Sequence, residues 1–120
     1  NKPLKITPED KFALFNDYWS PKIIGDLNGS YVKVAEFKGE FNRHHHENGD
    51  GLFVAVKETS IKFRVEDRQA SSGEMILIPK MVEHCPIADE EDGVIFIEPK
   101  ATLNTGNTRT ENTVENIKVL

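Results

Sequence analysis

Gly39-Glu40-Phe41-Asn42-Arg43-His44-His45-His46 is the stretch on which the fold and the chemistry of this chain turn. Residues two apart on a strand share a face, so His44 and His46 would project their rings into one space while His45 points the other way. An H-x-H pair of this kind chelates a divalent metal. A solvated polar cluster is the other reading of the run taken alone. Asn42 has the same inward parity as His44 and is placed to hydrogen-bond a ligand. The fourth histidine, His84, follows a hydrophobic run that ends before Pro79.

On both sides the text is β-prone and punctuated by turn chemistry. Asn28-Gly29 is a hairpin signal between runs 22–27 and 31–38. Further runs at 41–46, 52–56, 61–65, 75–78, 84–88 and 94–98 are divided by Gly49-Asp50-Gly51, Ser72-Gly73-Glu74 and an acidic hairpin turn over 89–93. Many short strands at near-regular spacing predict an all-β barrel or sandwich. Strict alternation over 61–65 turns Ile61, Phe63 and Val65 inward. Before the first strand, Thr7, Pro8, Glu9 and Asp10 form a helix start, which predicts a short helix over 8–15 that Trp19-Ser20-Pro21 closes off. Trp19 and Tyr18 are expected to pack over the barrel, with a dimer contact as the alternative. After Pro99 the composition turns to Thr and Asn, predicting a surface-hugging or mobile tail whose last stretch, 114–120, is apolar enough to dock. No internal repeat is seen, so the expectation is one domain over 1–120, with a barrel core at 22–99 and a tail at 100–120.

Two segments resemble the signature motifs of the cupin superfamily. The first motif, G-x5-H-x-H followed by E and G, is matched in its opening by residues 39–46; the second, G-x5-P-x-G-x2-H, is matched at Gly73, Pro79 and His84. Together with Ile97-Glu98-Pro99 and residues 102–106, they make the chain similar to small single-domain cupins of the cupin-2, mannose-6-phosphate-isomerase-like kind. The resemblance implies a cupin-type β-barrel (a double-stranded β-helix, or jelly roll) and a metal site of His44, His46 and His84. It also places the customary metal-binding glutamate at Gly51. Asp50, at the shorter spacing, is a candidate fourth ligand, as is Glu47, but Asp50 faces away unless the flanking glycines allow a bulge. Motif glycines are replaced around 57–60 and at Met81, so those turns are expected to be built differently. Phe53 and Ala55 are candidates for the pocket wall, and Cys85 for a buried small hydrophobe.

Three converging imidazoles leave coordination positions open and suit zinc, iron, nickel, copper or manganese. Without a carboxylate the ion keeps its full charge at the ligand shell, which favours a small polar or anionic metabolite. Two functions follow from the resemblance: a metal-dependent enzyme, sugar-isomerase-like or dioxygenase-like, or a module that binds metal or metabolite without turnover. A degraded, metal-free site holding a small ligand is a further alternative, since fold does not choose among them. With 15 basic against 20 acidic side chains and no basic cluster, a nucleic-acid partner is not expected. The apolar runs are far short of the roughly 20 residues of a membrane span, so no membrane is expected either. The lone Cys85 cannot form an internal bridge, and the cytoplasm is the simpler compartment. A homodimer is expected by resemblance, through an open edge near the N-terminal strand.

Overall fold

The Asn28-Gly29 turn joins β1 (Lys22–Leu27) to β2 (Ser30–Glu40), with Leu27 opposite Ser30 and Asn28 at φ 56°, a left-handed conformation that asparagine tolerates. The computed structural model describes residues 2–56 and 68–120, together with the backbone of 61–63. It continues with β3 (Gly51–Ala55), β4 (Ile61–Phe63), β5 (Arg68–Ala70), β6 (Met75–Ile78), β7 (Pro86–Pro99) and β8 (Lys118–Val119). Strand order is β5-β4-β7-β2-β1-β8, with β3 laid between β6 and β7. Among the described residues the protein is thus built almost wholly of strands joined in one mixed sheet, with one short helix, as the expected all-β barrel or sandwich requires.

Strand β7 is the spine. Along one edge it pairs antiparallel with β2, from Ser30↔Pro99 to Glu40↔Ile87; along the other it pairs with β3 through Phe53↔Phe96 and with β4 through Ile61↔Ala88. The expected runs 84–88 and 94–98 are therefore one strand, and the acidic hairpin turn between them does not form. Phe37 pairs with Asp92 and Gly39 with Ala88, so Asp89, Glu90 and Glu91 stand opposite the single residue Lys38 as a bulge. The 11-residue β2 is long enough to hold both halves of β7, and the bulge releases the three acidic side chains to solvent.

The helix α1 (Pro8–Phe12) is shorter than the expected 8–15. None of its residues is buried and Phe12, its ring over Gly93, is half-buried at its last position, so little packing sustains further turns. The expected strand 41–46 is likewise absent as a ladder; only an isolated bridge, His44↔His84, remains of it. At the other end β8 docks parallel to β1 over Lys22↔Lys118 and Ile23↔Val119. The opening expected at this edge for a second copy is thus filled, over those residues, by the chain itself. Of the inward set on 61–65, the side chains of Ile61 and Phe63 and the whole of Val65 lie outside the described residues, as do residues 57–60.

The core gathers Ala35 and Phe37 of β2, Phe53 and Ala55 of β3, Ile78 of β6, and Ala88, Val94 and Phe96 of β7, with Trp19 packed against them. Among the described residues no helix is long and apolar enough to cross a membrane.

Candidate metal centre

His44 and His84 face each other across their bridge and exchange both backbone hydrogen bonds, at 2.9 and 2.8 Å. This is the closed pairing of an antiparallel ladder. It sets the two rings side by side, with centroids 4.3 Å apart. His46 comes to the same side two residues on, its ring 4.8 Å from that of His44 and 5.4 Å from that of His84. All three are buried, and one ring nitrogen from each falls in a set whose members lie within 4.8 Å of one another. His45 takes the opposite direction, half-buried, with Nε2 3.4 Å from Glu47.

The backbone chooses the tautomers. His44 Nδ1 lies 2.7 Å from the carbonyl of Asn42, and His84 Nδ1 lies 3.0 Å from that of Val82. A carbonyl only accepts, so each Nδ1 carries the proton and each Nε2 keeps its lone pair for a ligand. Burial pushes all three imidazoles below the usual histidine range. For His44 the value falls to about 4, helped by the neighbouring His84; for His46 it falls to about 3, helped by His44 and His84. Around neutral pH the rings are therefore uncharged, the form that binds metal.

A second tier of contacts holds the histidine segment from behind. His45 N donates to Asn107 Oδ1 at 2.8 Å, and Asn107 N donates to the His45 carbonyl at 3.0 Å. A Cβ at Gly106 would stand 2.1 Å from the His45 carbonyl oxygen and 2.9 Å from His44 Cδ2, and φ there is +58°. Part of the Thr- and Asn-rich tail is thus packed structure. Met81 N donates to the His46 carbonyl at 2.8 Å. Met81 itself has φ 71°, so the turn expected to be built differently keeps the backbone that glycine favours, with an exposed methionine on it.

Asp50 is exposed, and its Oδ1 accepts the Lys80 backbone N–H at 2.9 Å. Glu47 is exposed beside His45. Among the described residues no hydrogen bond or ion pair joins either carboxylate to His44, His46 or His84; Glu47 meets His45 on the other side. The Asn42 side chain is turned to Thr110 and Asn112, and what it offers the site is its carbonyl. Phe53 lines the cavity and stacks on Phe96, with centroids 5.3 Å apart. Trp19 does too, stacked on Phe37 at 4.4 Å and Phe41 at 4.8 Å. Cys85 is buried, its thiol 3.0 Å from the Phe41 carbonyl.

The sequence reading missed Glu98 and Lys33. Glu98 lines the same cavity as the histidines, with Oε2 3.5 Å from His46 Nε2 and Oε1 3.4 Å from the ammonium of Lys33. Their side chains are 3% and 0% exposed. Burial pushes the Glu98 carboxyl up, while Lys33 pulls it down. The signal was present: Glu98 has the parity of Val94 and Phe96, and Lys33 interrupts an apolar run, so two opposite charges each stand at an inward strand position. The cavity that Glu98 shares with the three histidines is about 30 Å³, the volume of roughly one water.

No model of a known protein family matches the chain. It is 33% identical over 63 residues to YdbB, an uncharacterized protein of Bacillus subtilis strain 168; the match covers 51% of this chain and 56% of that protein, so it spans little more than half of the relative's length. Among solved structures it is similar to a cupin-2 domain containing protein from Shewanella frigidimarina, at 42% identity and a TM-score of 0.74 over 79% of this chain and 94% of that one. It is also similar to a protein from Neisseria meningitidis, at 25% identity and a TM-score of 0.68 over 81% of this chain and all of that one.

Proposed function

The chain belongs to the cupin superfamily, and on that premise we propose that it binds one divalent transition metal through His44, His46 and His84 and presents it to a small polar or anionic ligand. The observation that carries this reading is the convergence of three buried imidazoles, two with Nδ1 committed to backbone carbonyls, on one small cavity. The donor set fits zinc, iron, nickel, copper or manganese. When bound, such an ion acts as a Lewis acid that polarises a ligand oxygen or acidifies a water. The chain's own contribution is to fix the rings, keep them neutral and wall the site with Trp19, Phe37, Phe41, Phe53 and Phe96.

The cavity size favours a ligand that reaches in with one donor oxygen. Sugar-isomerase-like or dioxygenase-like turnover belongs to the resemblance, and this reading commits to binding. The test is metal analysis of protein purified without a histidine tag. Stoichiometric metal, lost in His44→Ala and His84→Ala, is expected. Protein that carries no metal and cannot be loaded with any would overturn the reading. Thermal-shift screening of the loaded protein against small sugars and hydroxy or keto acids then identifies ligand class, since a ligand of the folded state raises Tm by mass action.

A further inference from the structure

We propose that Glu98 is the carboxylate donor of this metal centre, supplied from β7 in place of the side chain that Gly51 lacks; this rests on the three-histidine reading above. Position 51 is on the same inward side of β3 as the cavity-lining Phe53, since burial along the strand alternates with Gly51, Phe53 and Ala55 inside. The register Leu52↔Ile97 and Phe53↔Phe96, continued by one residue, sets Gly51 across from Glu98. A Cβ built on Gly51 would lie 3.6 Å from both Cγ and Oε2 of Glu98. That is about as far as a glutamate's own carboxylate oxygen reaches from its own Cβ, so the carboxylate of Glu98 falls within the space that a glutamate at 51 would use. The same Cβ would come within 2.9 Å of the Phe53 ring. Glycine at 51 and glutamate at 98 are therefore a matched exchange across one strand pair.

The distance to His46 points the same way. At 3.5 Å, Glu98 Oε2 and His46 Nε2 are too far apart for a good N–H···O hydrogen bond. Two donors held about 2.0–2.2 Å from a common ion at roughly 110–120° lie about 3.4–3.6 Å apart, which brackets the separation found, and a five-coordinate ion so held keeps a position for the ligand. Lys33 keeps the carboxylate in place. It sits opposite Phe96 in the β2–β7 register, hence diagonal to Glu98, and contacts the oxygen turned away from His46. Burying a carboxylate is costly, and among the described residues the ion pair with Lys33 is what holds it in the metal-free protein.

The test is titration of the tag-free protein with Co²⁺, followed by the visible absorption of the bound ion, with Zn²⁺ competition giving affinity. Wild type is compared with Glu98→Gln and with Lys33→Met/Glu98→Leu, which removes both buried charges and so leaves none orphaned. One Co²⁺ per wild-type chain is expected, with about 10–100-fold weaker binding and a shifted spectrum in both variants, as the anionic oxygen donor gives way to a neutral amide in one and to no donor in the other. Unchanged affinity and spectrum would overturn the inference while leaving the three-histidine site standing. Weaker binding with an unchanged spectrum would also overturn it, reducing Glu98 to a residue that orients His46. Failure of the wild type to bind Co²⁺ at all would remove the reading underneath.

Discussion

The histidine side and the carboxylate side of the cavity are built in opposite ways. His44 and His46 are two residues apart, and His84 is brought to them by a backbone bridge, so the three rings are held by main-chain hydrogen bonds and by neutral, local geometry. Lys33 and Glu98 are 65 residues apart, on two neighbouring strands, and are held by each other as a buried ion pair. The first side depends on protons and the second on charge balance. Perturbations of each kind should therefore separate them.

Acid should have the largest effect, and it acts on the histidine side. The folded-state values of His44 and His46, about 4 and about 3, lie below the 6.5 of the unfolded chain. Above pH 6.5 both states are neutral and the fold keeps its full stability. As pH falls below 6.5 the unfolded chain takes up protons that the folded one refuses, and stability drops until the folded rings also protonate. Metal-free protein followed by thermal melts should lose several kcal/mol between about pH 6.5 and pH 4, and bound metal should deepen the slope. A flat profile across that window would break the contrast.

Next comes the carboxylate side. In metal-free protein at neutral pH, Glu98→Gln leaves the Lys33 charge buried without its counterion and should cost about 3–5 kcal/mol in urea unfolding. Lys33→Met/Glu98→Leu should recover most of that loss, because apolar replacement of a buried pair is tolerated. Equal destabilisation by both would mean that packing, and not charge balance, holds this wall. Gly106→Ala should rank third, costing about 1–3 kcal/mol through overpacking against His45 and His44, with weaker metal binding as their rings shift. Met81→Gly should have the smallest effect. It relieves the left-handed backbone of an exposed residue beside the His46 carbonyl, at a gain of no more than about 1 kcal/mol.

The same division explains what could be read in advance. The histidine side is local: the H-x-H parity and the Asn28-Gly29 hairpin follow from spacing alone, and both are found where the sequence puts them. The carboxylate side is set by register between strands far apart in the chain. Spacing around Gly51 therefore points to Asp50 or Glu47, whereas Asp50 accepts the Lys80 backbone N–H and Glu47 lies beside His45. The acidic segment misled for a related reason. Composition marks the whole run 89–92 as a solvated hairpin turn; Asp89, Glu90 and Glu91 are exposed, but Asp92 is fully buried opposite Phe37, and the length of β2 makes the segment a bulge within one strand. Thr and Asn leave the tail open between surface-hugging and mobile, and Gly106 and Asn107, locked onto the His45 backbone, decide for the first over those residues.

Anomalous diffraction from zinc-loaded crystals of the tag-free protein tests the central claim most directly. A single peak about 2.0–2.2 Å from one ring nitrogen of each of His44, His46 and His84 is the predicted result. Zinc found only at the surface, for instance on His45 and Glu47, with the three buried rings touching no ion, would contradict it.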